Sequence, residues 1–144
     1  MDIRPLTETY AVSPQIAPED VAALKAAGYT TIICNRPDGE VPPELRADAV
    51  AEAAAAAGLA FVRNPVIGGA LSMDNVTAQG AAIAESQGPV LAYCASGNRS
   101  SIVWALSQAG TIPTDEMIAT AGRHGYVQLA GFRDQIEALA ARKG

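Results

Sequence analysis

The residues best suited to chemistry in this chain of 144 residues lie in one stretch, Tyr93-Cys94-Ala95-Ser96-Gly97-Asn98-Arg99-Ser100-Ser101. An apolar run, Pro89 to Tyr93, leads into it, and a second, Ile102 to Leu106, leads out. The first run is short and follows Gly88, which predicts a buried strand. The second follows a Gly/Asn/Ser cluster and continues to Gly110, which predicts a buried helix. Cys94 then stands at the carboxyl end of a strand, where a small-residue loop turns back into a helix N-terminus and backbone N–H groups converge on an anion. The N–H groups, the helix dipole and Arg99 all favour a thiolate over a thiol there. The expected roles are Cys94 as nucleophile and Arg99 as anion clamp, with Ala95, Ser96, Gly97 and Asn98 as an anion-binding loop. Ser100 is expected to hydrogen-bond the thiolate or to cap the helix. The plainer reading of Cys94 is a small apolar residue buried at a strand end.

Other reactive side chains are fewer. Asp38 and Asp74 are candidates for an acid or for ordering the site; as plain structure they form a turn and cap a helix. Cys34 ends another strand run and reads as a core thiol, or as a resolving partner of Cys94 if the two strands are neighbours. His124, the only histidine, reads as a turn residue or as a wall of the substrate pocket. Trp104 and Tyr126 read as packing residues, and Arg36 and Arg63 as surface arginines that could widen the positive field. One histidine and two cysteines supply neither a zinc site nor a disulfide framework, so no metal or other cofactor is expected.

The elements that must position these groups alternate along the chain. Strand patterns fall at Thr9–Ser13, Thr30–Cys34, Leu59–Arg63 and Pro89–Tyr93. Helix patterns fall at Ala17–Ala27, from Pro43 to the Gly58 stop, at about Asn75–Ser86 with Ser72 or Asp74 as cap, after Cys94, at Thr114 to about Ala121, and at Leu129–Arg142. This order predicts a single α/β domain over residues 1–144: a three-layer sandwich on a mostly parallel sheet of four to five strands. Ligands of such folds bind beyond the carboxyl ends of the strands. Cys94, the turn Asn35–Asp38 and the loop Asn64–Gly69 all belong to that edge.

Composition narrows the classes. Hydrophobic residues make up 49% of the chain, charged residues 17%, and the net charge is −5. An acidic chain without a basic face is not expected to bind nucleic acid. The chain shows neither a signal-like N-terminus nor an apolar run of membrane-span length, so no membrane is expected and a cytoplasmic location is the default.

Cys94 to Ser101 resembles two families. The four residues between Cys94 and Arg99 match the loop of rhodanese-type sulfurtransferases. Cysteine-dependent phosphatases of the tyrosine and dual-specificity class carry one residue more. The rest of the chain is similar to the phosphatases, in the helix after Ile16, in Leu24-Lys25-Ala26-Ala27-Gly28-Tyr29 and in Ile32 to Asp38. Together with Asn35-Arg36-Pro37-Asp38-Gly39-Glu40 the chain resembles the phosphatase-like domain of bacterial beta-lactamase-hydrolase-like proteins. That resemblance implies a tyrosine/dual-specificity phosphatase-like fold. It also implies a link to sulfide metabolism and to a persulfide-processing enzyme as partner, because members occur alone or fused to a metallo-β-lactamase-type persulfide dioxygenase.

Two physical features favour sulfur. A loop shorter by one residue makes a tighter ring of N–H groups, matched to a single persulfide sulfur. Phosphomonoester cleavage also gains about 100- to 10,000-fold from a positioned acid. The loop Asn64–Leu71, where the resembled phosphatases carry that acid, has none. The leading expectation is therefore a sulfurtransferase that forms a Cys94 persulfide from a small anionic donor such as thiosulfate or a persulfide. The alternatives are a phosphatase acting on a phosphoester through a Cys94 phosphoenzyme, and a non-catalytic anion-binding or redox-sensing module.

Overall fold

The computed structural model describes residues 1–143. Five strands form one sheet: β1 (Arg4–Pro5), β2 (Tyr10–Ser13), β3 (Thr31–Cys34), β4 (Ala60–Arg63) and β5 (Val90–Tyr93), in the order β1-β2-β5-β3-β4. All neighbours run parallel except β1, which pairs antiparallel with β2 at the edge. Among the described residues six α-helices accompany the sheet: α1 (Val21–Ala26), α2 (Ala47–Ala57), α3 (Met73–Glu85), α4 (Asn98–Ser107), α5 (Thr114–Arg123) and α6 (Arg133–Lys143).

The strands alternate between two cores, as a pleated sheet requires. Tyr10, Val12, Ile33, Val90 and Ala92 face α3 to α6 and pack with Val103, Trp104, Met117 and Ile136. Ala11, Ile32, Cys34, Leu91 and Tyr93 face α1 and α2 and pack with Leu24, Val50 and Ala54. Burial on both faces explains why β3 and β5 read as unbroken apolar runs. The stack of Tyr10 on Trp104, with centroids 5.7 Å apart, ties β2 to α4.

Register brings the chemistry to one edge. Ser13 and Cys34 both lie opposite Tyr93, and Arg63 lies opposite Cys34. The carboxyl ends of the four parallel strands are thus level, with β5 in the middle.

Local differences from the sequence expectations have physical causes. Pro43 does not open α2. Pro43–Leu45 makes a 3-10 turn, Arg46 is extended, and α2 begins at Ala47, whose N–H donates to Asp38 Oδ1 at 2.9 Å. The last helix is divided into a 3-10 segment, Val127–Phe132, and α6, with the weak helix former Gly131 at the division. Residues 98–101 belong to α4, which therefore starts inside the cysteine loop. Strand β1 was too short to give a sequence pattern. His124 Nε2 meets the Pro5 carbonyl at 2.8 Å and so fastens this edge. Among the described residues no helix is long and apolar enough to cross a membrane.

Candidate active site

Cys94 follows β5 directly and is 1% exposed. Its Sγ accepts the Gly97 N–H at 3.1 Å, so the loop already curls around the sulfur. Gly97 is the residue that permits the curl. It has φ +98° and serves as the N-cap of α4. A side chain there would collide with the Tyr126 hydroxyl. Ser101 holds the first turn of α4 through its N–H and Oγ, both donating to the Gly97 carbonyl at 3.0 and 2.9 Å. The Asn98 N–H donates to Ser96 Oγ at 3.2 Å. The N–H groups of Arg99 and Ser100, in the first turn, have no acceptor within the helix and can serve an anion.

Tyr126 braces the loop from outside. Its hydroxyl donates to the Ser96 carbonyl at 2.8 Å and accepts from Arg4 Nη1 at 2.8 Å. Burial, chiefly, holds that phenol above its ordinary value, so it stays a donor. Packing was the sequence reading of Tyr126, and the residue is buried in the core; its hydroxyl in addition fixes the conformation of the loop. Gly97→Ala is expected to cost about 1–3 kcal/mol through strain at positive φ and to displace this brace. Thermal unfolding alongside turnover should show a lowered Tm and a larger fractional loss of activity than of folded protein.

Arg99 is already occupied. Its Nη1 donates to Glu40 Oε2 at 2.8 Å and its Nη2 to Glu40 Oε1 at 2.7 Å, while Nη1 also reaches the Val66 carbonyl at 2.8 Å. Glu40 Oε1 also accepts from Arg36 Nε at 3.3 Å. The Arg99 hydrogen bond is the main reason the Glu40 carboxyl lies below its usual range, with Arg36 adding to it. The same bond, with Cys94 acting in the same direction, raises Arg99. Glu40 is therefore ionised at neutral pH and is not a ready proton donor. The sequence gives Glu40 only as the last residue of the Asn35–Glu40 motif, with no role at the site. The signal that could have found it was an acid in the turn after a strand next to the one that carries the cysteine.

Ser100 corrects an expectation. It neither hydrogen-bonds the thiolate nor caps α4. Fully buried in the first turn of the helix, it donates through Oγ to Asn35 Oδ1 at 2.9 Å. Asn35 belongs to a buried network that spans the sheet edge. Asn35 Nδ2 and Asn64 Nδ2 both donate to Gln79 Oε1 at 2.9 Å. Gln79 Nε2 donates to the Tyr10 hydroxyl at 3.0 Å and to Asn35 Oδ1 at 3.2 Å. The Tyr10 hydroxyl donates to the Ser100 carbonyl at 2.9 Å. Two strand ends, α3 and the start of α4 are thus locked by polar groups that satisfy one another. Gln79→Leu would leave several of them unpaired and is expected to destabilise the fold by about 3 kcal/mol or more, read as a fall of Tm in denaturation.

The remaining candidates separate by position. Asp38 caps α2 from a distance, which anchors the Asn35–Glu40 turn, and its carboxylate is engaged there rather than at the sulfur. Asp74 lies exposed in the first turn of α3, where the cap is Ser72, whose Oγ accepts the Asn75 N–H at 3.2 Å. Cys34 and Cys94 are both free. Cys34 faces α1 and α2 and donates to the Arg36 carbonyl at 3.3 Å, with burial pushing its thiol up. Arg63 pairs with Asp48 and lies over Phe61, so its charge is spent on that surface pair.

Comparisons with known proteins agree with this fold. Residues 2–111 match the model of the family described as beta-lactamase hydrolase-like protein, phosphatase-like domain. A beta-lactamase hydrolase-like protein of Xylella fastidiosa is 38% identical over 128 residues, 88% of this chain and 30% of that protein. One from Agrobacterium fabrum is 34% identical over 127 residues, 87% of this chain and 29% of that protein. The chain thus spans about 30% of the length of these relatives. A crystal structure of a candidate phosphatase from Neisseria meningitidis superposes with TM-score 0.80 at 33% identity, covering 96% of this chain and 99% of that one. PTPMT1, solved in complex with PI(5)P, shares the fold with TM-score 0.75 at 14% identity, covering 99% of each chain. The sheet and the helices on both its faces are those of a phosphatase-like fold, and the chain belongs to the beta-lactamase hydrolase-like family as its phosphatase-like domain.

Proposed function

We propose that this domain hydrolyses phosphomonoesters through Cys94. The observation that carries the proposal is the loop. A buried cysteine sits at the end of the central strand, under the free N–H groups of a helix N-terminus and beside a guanidinium, in a chain of a phosphatase-like family. The thiolate attacks phosphorus, an S–P bond forms, and the P–O bond to the leaving group breaks with its electron pair on oxygen. The loop amides, in place before the reaction, and Arg99, once shared with or released from Glu40, take up the charge on the non-bridging oxygens. Water then attacks phosphorus, phosphate leaves, and the thiolate is restored. Because Glu40 is ionised, the leaving oxygen must be stable without a donated proton or draw one from solvent, which favours aryl esters over simple alkyl esters. PTPMT1 with its bound phosphoinositide provides a precedent, on the same fold, for a phosphoester ligand.

The sulfurtransferase expectation has one specific observation in its favour, the four residues between Cys94 and Arg99. In that chemistry the S–S bond of thiosulfate breaks, sulfite leaves with the electron pair, and Cys94 gains one sulfur. No leaving-group acid is needed. One pair of measurements separates the two readings. Release of phosphate from para-nitrophenyl phosphate that is lost in Cys94→Ser supports the hydrolase. A stable mass gain of one sulfur from thiosulfate, without phosphate release, would overturn it in favour of sulfur transfer.

A further inference from the structure

Arg99 also lines a cavity of about 570 Å³, a size suited to a small-molecule ligand. The loop after β4 lines it with Val66 and Ile67, α3 with Met73, α4 with Ile102 and Leu106, and α6 with Leu139. Val66 joins the cavity to the candidate active site, since its carbonyl accepts from Arg99 Nη1. Ile67 and Met73 are 61% and 53% exposed, a large apolar investment for a wall that faces solvent. The α6 wall lies beyond residue 111, outside the part of the chain that the family model matches.

We infer that this cavity holds the apolar portion of the substrate, so that the domain acts on amphiphilic phosphomonoesters. The phosphate lies in the Cys94 loop, and a hydrocarbon-bearing leaving group runs past Arg99 along Ile67, Met73 and Leu139. The inference rests on the phosphatase reading. It follows from continuity and charge: the Arg99 guanidinium meets the anionic head, and the rest of the lining is mostly apolar, with Ser72, Gln135 and Arg142 as its polar members. Hydrocarbon gains by burial against Ile67, Ile102, Leu106 and Leu139, whereas most amides of a phosphopeptide laid along these side chains would lose partners.

The test uses para-alkylphenyl phosphates from methyl to hexyl, in which leaving-group acidity is nearly constant while apolar length grows. With the native domain, kcat/KM is expected to rise about fourfold for each of the first methylenes buried. Ile67→Ser, Met73→Ser and the double variant, all at exposed positions, should flatten that slope. Hydrolysis with no dependence on chain length would overturn the inference and leave the phosphatase reading standing. If no ester is hydrolysed, that reading fails, and calorimetric binding to Cys94→Ser then decides the cavity by itself. A large preference for the hexyl over the methyl compound retains the cavity as an amphiphile site, and equal affinities overturn it. Preference for a phosphopeptide over the hexyl compound would also overturn it, as would a dimer in sedimentation that Met73→Ser disperses.

Discussion

Cys94→Ser is expected to fold normally and to lose turnover by at least about a thousandfold, because it removes the nucleophile and little else. The side chain is buried at the end of β5 and differs from serine by one atom, so packing in the strand and loop is largely conserved. What changes is the reacting atom. A hydroxyl is a far weaker acid than a thiol, and the loop amides and Arg99 cannot make an alkoxide of it near neutral pH. Circular dichroism and the unfolding midpoint should match the native domain within a few degrees, while phosphate release falls to background. The substituted domain should still bind phosphate, since Arg99 and the amides are untouched. Retention of more than a tenth of the native rate would remove Cys94 from the chemistry and assign the nucleophile to another group.

The fold was readable because its signals are local. Ile32 to Cys34 and Val90 to Tyr93 are short β-branched or apolar runs between turn residues, and each is a strand buried on both faces. Gly58 stops α2 with φ +80°, as the sequence pattern required. The cysteine loop was readable for the same reason, since all its parts are contiguous. What escaped depends on contacts between distant segments. Glu40 reaches Arg99, and Tyr126 reaches Ser96. The Asn35, Asn64 and Gln79 amides come together only when β3, β4 and α3 are assembled. Such residues have ordinary surface or loop chemistry in isolation, and their function appears only in the pairing. Ser100 was misread for a related reason. Its place after Arg99 suggested the thiolate, but inside the first turn of α4 its side chain points into the sheet edge and finds Asn35.

Loop length and fold pull toward different chemistries, and the Glu40–Arg99 pair bears on both. A bidentate carboxylate presents two oxygens to the guanidinium fork in much the way a bound oxyanion does. The resting site is therefore held by an internal anion, and a substrate must either displace it or share Arg99 with it. Whichever reaction the domain catalyses, this exchange precedes it.

Arg99→Lys is accordingly expected to lower kcat/KM by about 100- to 1,000-fold. A lysine retains the charge but not the planar fork that can hold two oxygens at once. Glu40→Gln is the informative companion. Loss of the competing charge should tighten inhibition by inorganic phosphate severalfold, because Arg99 no longer gives up a full ion pair on binding. Weaker phosphate inhibition together with a lower kcat would instead make Glu40 an arm that aims Arg99. Stability supplies an independent readout with a defined sign. The Glu40 carboxyl is depressed in the folded state, so the pair contributes stability fully present above the ordinary glutamate value of 4.5 and lost as pH falls through the lower folded value. The Tm advantage of the native domain over Glu40→Gln should therefore be constant from neutral pH down to about 5 and shrink below it. An advantage that persisted unchanged into strong acid would mean that the carboxylate is not what holds Arg99, and the displacement step would lose its physical basis.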